Sequence, residues 1–294
     1  MTKRKLWYLL VEGQQDPETG VFGNFYAYGN HLGEALDKVI KASDEYRFFN
    51  HNLVEASLPD SFDIAGEKAG LIKITDDVYM RSTTYTYPLD DPDKGFIPPA
   101  GIVKSVGDGG YDDDLIKECF VAYGADENGI FEFELVLARQ NLIDTFIKAI
   151  GFLPPIDGLS IYIKDHWESG LTELWVADHF TDKHTVVTFL NEQKENTLEN
   201  GHLDIVIHSA KGATDLMLDD HKKIQLHTKD ATVFNDFGKN IIGLGYKQTR
   251  NFYSLEFGYH HFHYRPAGSL IRSEFKEMLT EHNFKPADHI PGQR

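Results

Sequence analysis

The 294 residues carry a formal net charge of −17, a single cysteine and 13% aromatic side chains. That charge excludes the ordinary mode of nucleic-acid binding, in which lysine and arginine displace counterions from phosphates. Twenty phenylalanines and a 41% hydrophobic content exclude disorder, because so much apolar surface can be buried against the chain entropy.

The N-terminal apolar run Leu6–Val11 stops at Glu12 after six residues. An export signal needs about 7–15 and a membrane span about 18, so the run reads as a first strand and the expected location is cytoplasmic. A lone Cys119 forms no internal disulfide, which suits a reducing compartment. Leu6–Val11 and Val21–Tyr28 are alternating segments, and they precede a helical stripe of Leu32, Ala35, Leu36, Val39 and Ile40. Residues 88–114 then break the pattern with Pro, Gly and Asp. From Asp90 to Glu127 there are ten acids against three bases. Long loops of this kind are functional or linkers, and we place a domain boundary near residue 110.

Beyond the loop, Cys119–Tyr123 and Phe131–Leu137 alternate around the turn Asp126-Glu-Asn-Gly129, where Asn-Gly supplies positive φ. A second helix is predicted from Asn141 as N-cap through Ile143, Phe146, Ile147 and Ile150. A third starts near Thr181-Asp182 (Val186, Val187, Leu190), a fourth follows Asp230 (Val233, Phe234, Phe237, Ile241), and a last starts near Ser269 (Ile271, Phe275, Met278, Leu279). Three of these end alike, in Gly151-Phe152, Gly245-Tyr246 and Asn283-Phe284, the punctuation of a left-handed helix terminus. Strands are expected at Leu159–Ile163, Leu203–Ile207, Lys223–Thr228 and Leu255–Tyr264.

One motif recurs. Gly170-Leu-Thr-Glu-Leu-Trp-Val-Ala-Asp-His179 matches Gly212-Ala-Thr-Asp-Leu-Met-Leu-Asp-Asp-His221 at Gly, Thr, Leu, Asp and His. Each copy follows an alternating strand, so the pattern points to duplicated units at 159–198 and 203–243. The predicted class is α+β: repeated strand–strand–helix units in mainly antiparallel sheets, covered on one face by helices. Residues 1–110 form an N-terminal domain and 111–294 a C-terminal domain containing the duplication.

The acidic loop fails the spacing of an EF-hand in either alignment tried, on Asp91 or on Gly129. Twelve of the fourteen histidines follow residue 160, most densely in Tyr259-His-His-Phe-His-Tyr-Arg265. Imidazoles two apart on a strand, His261 and His263, ligate Zn, Fe or Cu when further ligands converge. Asp178-His179 and Asp220-His221 are the candidates to complete such a divalent transition-metal site, although no motif calls for a cofactor. Cys119 sits in an apolar segment and reads as inert. No nucleophile elbow, Walker loop or Gly-x-Gly-x-x-Gly is present.

The last predicted strand is rich in aromatics: Phe252, Tyr253, Phe257, Tyr259, Phe262 and Tyr264. An open sheet face there offers Tyr259, His260, His261, His263, Tyr264 and Arg265 as a binding platform. Short strand–helix duplications, high acidity and the lack of a catalytic signature are similar in composition and style to bacterial immunity and antitoxin-like proteins. The resemblance transfers no residue. It implies a cytosolic, non-enzymatic binding protein whose partner is a basic protein, drawn by the negative field. The enzymatic alternative is a metal-dependent hydrolase or oxygenase using His261, His263 and a carboxylate. The structural alternative is a homo-oligomer built through exposed sheet edges.

Overall fold

Alternation in the first thirty residues folds as a long hairpin in a computed structural model that describes residues 4–44, 48–58, 71–81, 85–88, 96–104, 116–168, 170–257 and 261–287. Strands β1 (Lys5–Asp16) and β2 (Thr19–Gly29) pair antiparallel from Lys5↔Gly29 to Asp16↔Thr19. β3 (Phe49–Ser57) flanks β1, while β4 (Leu71–Lys73), β5 (Val78–Arg81) and β6 (Tyr85–Pro88) extend the β2 side into a six-stranded sheet. Helix α1 (Leu32–Asp44) lays Ala35, Val39 and Ala42 on one face, against Leu9, Val11 and Phe25. The other face buries Leu10, Phe22 and Val54 against Tyr264, from the far end of the chain.

Glu55 on β3 is drawn into this second face. Burial pushes its carboxyl up to about 7, and neighbouring Glu168 adds to the rise while Arg265 opposes it. A carboxyl raised in the folded state costs nothing below its unfolded pKa near 4.5 and its full penalty above about 7. Glu55→Gln is therefore expected to stabilise the protein at pH 8 by about 1–3 kcal/mol, the upper end being the whole shift at ~1.36 kcal/mol per unit. Urea unfolding at pH 4 should show no difference between the two proteins.

The second sheet has eight strands in the order β16-β11-β10-β12-β13-β14-β9-β8. They are β8 (Cys119–Tyr123), β9 (Phe131–Val136), β10 (Gly158–Ile163), β11 (Glu173–Ala177), β12 (Leu203–Ser209), β13 (Thr214–Leu218), β14 (Ile224–Thr228) and β16 (Lys285–Pro286). Every one of its ladders is antiparallel. Four helices cover one face: α2 (Arg139–Phe152), α3 (Lys183–Glu192), α4 (Ala231–Gly243) and α5 (Arg272–Glu281). Phe146, Phe189, Phe237 and Phe275 enter a core with Ile161, Ile205, Leu216, Leu226 and Phe133. The α+β class and the helix-covered antiparallel sheet are as the periodicity predicts. Among the described residues no helix is long and apolar enough to cross a membrane.

Helix starts follow the capping chemistry in two cases. Asp182 caps α3 and Asp230 caps α4, the latter accepting from Thr232 N at 2.8 Å and Val233 N at 3.2 Å. Asp230→Ala should cost about 0.5–2 kcal/mol, read as a lower urea midpoint at unchanged slope. Elsewhere the predicted caps are displaced. At α2 the cap position is Ala138, and Glu118 accepts from both Ala138 N and the Asn141 amide. Glu118 thus ties down the amide of the cap residue and the Asn141 side chain, while no side chain caps the first turn itself. α5 begins at Arg272, because Ser269 closes a turn onto Pro266 O. Gly245 (φ 100) and Asn283 (φ 59) are left-handed as predicted. Gly151 lies inside α2, which ends where Leu153 becomes extended before Pro154.

The recurring motif does not mark equivalent strand positions. Its alignment equates Trp175 with Met217, yet Trp175 and Ala177 face the helix-covered core whereas Leu216 and Leu218 do so on β13. A one-residue slip in a strand exchanges its faces. The preceding strands β10 and β12 do match in phase, pairing through Ile161↔Ile205 with their alternating apolar residues in the same core.

The expected boundary near residue 110 lies outside the described residues. A third, two-stranded sheet joins β7 (Ile102–Lys104) to β15 (His261–His263), so the end of the chain returns to its first half. The expected strand Leu255–Tyr264 is reduced to β15, with Leu255–Phe257 forming a 3-10 turn.

Candidate metal centre

Antiparallel register brings three segments to one end of the eight-stranded sheet. Ile163, the last residue of β10, pairs with Leu203, the first of β12, and Ile205 pairs with Leu218, the last of β13. The loop after β10 (Lys164–Glu168), the segment entering β12 (Asn200–His202) and the turn after β13 (Asp219–Lys223) are consequently neighbours. β15 delivers the fourth component, His263.

Two glycines allow that delivery. Gly101 is left-handed (φ 95), and a Cβ on it would lie 2.7 Å from Gly201 N. A Cβ on Gly201 would overlap Gly101 O. At this crossing Tyr264 N donates to Gly101 O (2.9 Å) and Gly201 N donates to Tyr264 O (2.8 Å). Gly201 O then accepts from His263 Nδ1 at 2.6 Å. Since a carbonyl only accepts, the proton sits on Nδ1 and the lone pair on Nε2. His166 lies against His263, ring centroids 4.2 Å apart, with its Nε2 4.0 Å from Asp220 Oδ2. The donor atoms of His166, Asp220 and His263 all lie within 4.8 Å of one another.

The turn that presents Asp220 is strained and anchored. Lys222 is left-handed (φ 63), a conformation that costs a non-glycine residue about 1–2 kcal/mol. Asp219 Oδ1 accepts from Lys223 N (2.7 Å), Asp204 Oδ1 accepts from Asp220 N (2.9 Å), and the buried Lys222 Nζ donates to Asn200 O (2.6 Å). The turn is thereby tied to the segment that carries Gly201.

Electrostatics match these groups to a cation. Burial pushes His263 down to about 3, helped by the neighbouring His166, and lowers His166 as well. Both are neutral imidazoles at physiological pH, the form that ligates metals. Burial would raise Asp220, but its contact with His221 (Nδ1 to Oδ1, 2.9 Å) and the charge of Lys164 outweigh it and hold the carboxylate ionised. Behind the pair, His202 stacks on Trp167 (5.4 Å, 16°) with its Nδ1 buried and without a hydrogen-bond partner.

A second group adjoins the first. Donor atoms of Asp219, His221 and Glu256 also lie within 4.8 Å of one another. Lys223 Nζ reaches Glu134 at 2.6 Å and Glu256 at 3.0 Å, and Gln225 Nε2 lies 3.4 Å from both Glu134 and Asp219. Burial pushes Asp219 up to about 7.

Of the residues expected from sequence, His263, Asp220 and His221 come together here. Asp178 and His179 do not. Ala177 pairs with Leu159 at the beginning of β10, so the Asp178-His179 pair lies at the opposite end of the sheet from Asp220. There His179 packs against Phe180 and lines a cleft with His184 and His282. His261 enters β15 opposite Lys104, and Tyr259 and His260 lie outside the described residues. Tyr264 and Arg265 belong to the interior: Tyr264 packs on Leu10 and Phe22, and Arg265 donates to Ser269 O at 2.7 Å. Neither contributes to an open aromatic platform.

His166 and His202 escape the sequence reading. Asp165-His166 is a third Asp-His pair placed just after a strand, the one signal that could have found it. Also unforeseen is a chain across three strands on the helix-free face. Asp215 Oδ1 lies 2.7 Å from His208 Nδ1, and His208 Nε2 lies 2.7 Å from Ser160 Oγ. Ser160 sits mid-strand on β10, which is paired on both sides, so the amides around it are spent in ladders. Acyl transfer needs donors aimed at a developing oxyanion, and we read this chain as a cross-strand tie. Burial also pushes the Cys119 thiol up, away from the reactive thiolate.

Compared with known proteins, the chain matches no family model, no curated sequence and no solved structure.

Proposed function

We propose that this protein binds a divalent transition metal ion through His166, Asp220 and His263 and is a metal-dependent enzyme of the hydrolase or oxygenase class. One observation carries the reading: two imidazoles and a carboxylate from three separate segments converge within 4.8 Å. The contact from His263 Nδ1 to Gly201 O supports it, because ligating histidines are oriented by donating their second ring nitrogen to a carbonyl or carboxylate. Three protein ligands leave coordination positions for water or substrate, as catalytic sites require. A metal in such a site acidifies bound water or polarises a substrate oxygen. The alternative of a basic protein partner rests on the charge balance alone, whereas the metal reading rests on placed donor atoms.

Chelator-stripped protein titrated calorimetrically with Zn²⁺, Mn²⁺ and anaerobic Fe²⁺ tests the proposal. Binding is expected, with affinity lowered by at least about 100-fold in His263→Ala and Asp220→Asn, more than the loss of an outer-shell partner costs. Absence of binding by all three metals, or equal binding by the two variants, would overturn it. The preferred metal separates the classes, Fe²⁺ favouring an oxygenase and Zn²⁺ or Mn²⁺ a hydrolase.

A further inference from the structure

We infer that a second divalent ion binds beside the first, held by Asp219, His221 and Glu256, so that the centre is binuclear. The inference rests on the metal reading above and extends it. Asp220 links the two positions. Its Oδ2 faces His166, while its Oδ1 contacts His221 Nδ1 at 2.9 Å. In the neutral ring this carboxylate–imidazole contact keeps the proton on Nδ1 and leaves Nε2 to coordinate, the arrangement that orients histidines on metals. One carboxylate thus serves as a ligand at the first position and as the orienting partner of a ligand at the second.

Charge supports the same conclusion. Glu134 and Glu256 both contact the single ammonium of Lys223, an excess of one carboxylate, and Asp219 lies close by. Lys223 holds Glu134 more closely, at 2.6 Å, than Glu256, at 3.0 and 3.1 Å. Glu256 stands on the 3-10 turn with its side chain 34% exposed, so it can turn from the ammonium to a metal without disturbing packing. Lys223 keeps Glu134 when it does. Paired metals of this kind clamp both the attacking and the leaving oxygen of a displacement, the chemistry of the hydrolase among the two classes proposed above.

The experiment is metal stoichiometry on the full chain. Stripped protein is reloaded with Mn²⁺ or Zn²⁺, freed of excess by gel filtration and analysed by mass spectrometry of metal against protein. Glu256→Gln and His263→Ala are carried in parallel, with circular dichroism confirming their folds. Two ions per chain, falling to one in Glu256→Gln, is the expected result, and Mn²⁺-loaded protein should give an exchange-coupled paramagnetic spectrum that Glu256→Gln uncouples. One ion per chain, lost in His263→Ala and retained in Glu256→Gln, would sink the second position and leave the first standing. Two ions in both wild type and Glu256→Gln would also refute the ligand set, and no ion in the wild type would remove both readings.

Discussion

Gly201→Ala is expected to destabilise the protein by about 3 kcal/mol, the upper end of what overpacking costs, and to weaken metal binding along with it. The new methyl group would occupy the position of Gly101 O. The Cβ is fixed by the backbone that bears it and Gly101 O is backbone itself, so no rotamer change relieves the clash, and the two segments must separate. Separation lengthens the bonds from Gly201 N to Tyr264 O and from His263 Nδ1 to Gly201 O, which fix the imidazole against the sheet. A loosened His263 loses its preorganisation for the ion, and loss of such an orienting partner costs about 10–100-fold in affinity. Gly151→Ala is the matched control. That residue lies within α2 with open space where its Cβ would stand, so alanine should stabilise by about 0.5–1 kcal/mol through helix propensity. Urea unfolding and metal titration of the two variants check both statements. A Gly201→Ala protein as stable and as tightly metallated as the wild type would show that the crossing does not position His263.

The same contrast between local and long-range information explains what could be read without coordinates. The stripe Leu32, Ala35, Leu36, Val39, Ile40 and the alternation Leu203, Ile205, Ile207 are local, because burial of one face dictates a period that short windows display. Asp182 and Asp230 were legible for the same reason: a cap acts on amides two or three residues ahead. The start of α2 was not, since its cap position is Ala138 and the carboxylate that holds the Ala138 amide comes from Glu118. The Gly170 and Gly212 motifs matched in letters and not in phase, and phase depends on hairpin register that the letters do not carry. His263 and Asp220 were identifiable by residue type. Their union with His166 depended on which ends of β10, β12 and β13 lie together, and on a glycine crossing between residues far apart in the chain. The aromatic cluster misled for a related reason, since Tyr264 is consumed by the second face of the first sheet.

Arg272→Met is expected to cost about 3–5 kcal/mol, the range for breaking a buried charge network by removing one partner. Arg272 is 7% exposed and lies in the first turn of α5, an end of the helix where the dipole disfavours a cation. Its contacts explain the placement. Nη1 donates to Lys164 O (3.0 Å) and Trp167 O (2.6 Å), while Nη2 donates to Leu171 O and to Glu173 Oε1 (3.0 Å). The guanidinium therefore satisfies three carbonyls of the loop that carries His166 and holds Trp167 beneath His202. Methionine fills much of the volume but leaves those carbonyls without their donor and leaves Glu173 with Lys276 alone (3.1 Å). Because Arg272 touches none of the proposed ligands, it acts as a positioning residue, and its loss should lower metal affinity about 10–100-fold, as outer-shell partners do. Arg272→Lys separates the two effects. An ammonium retains the pairing with Glu173 but lacks the planar fork that spans several acceptors, so stability should recover in part while affinity stays low. Unchanged metal affinity in both variants would mean that the Lys164–Leu171 loop is held by its own packing, and that His166 needs no clamp to meet Asp220.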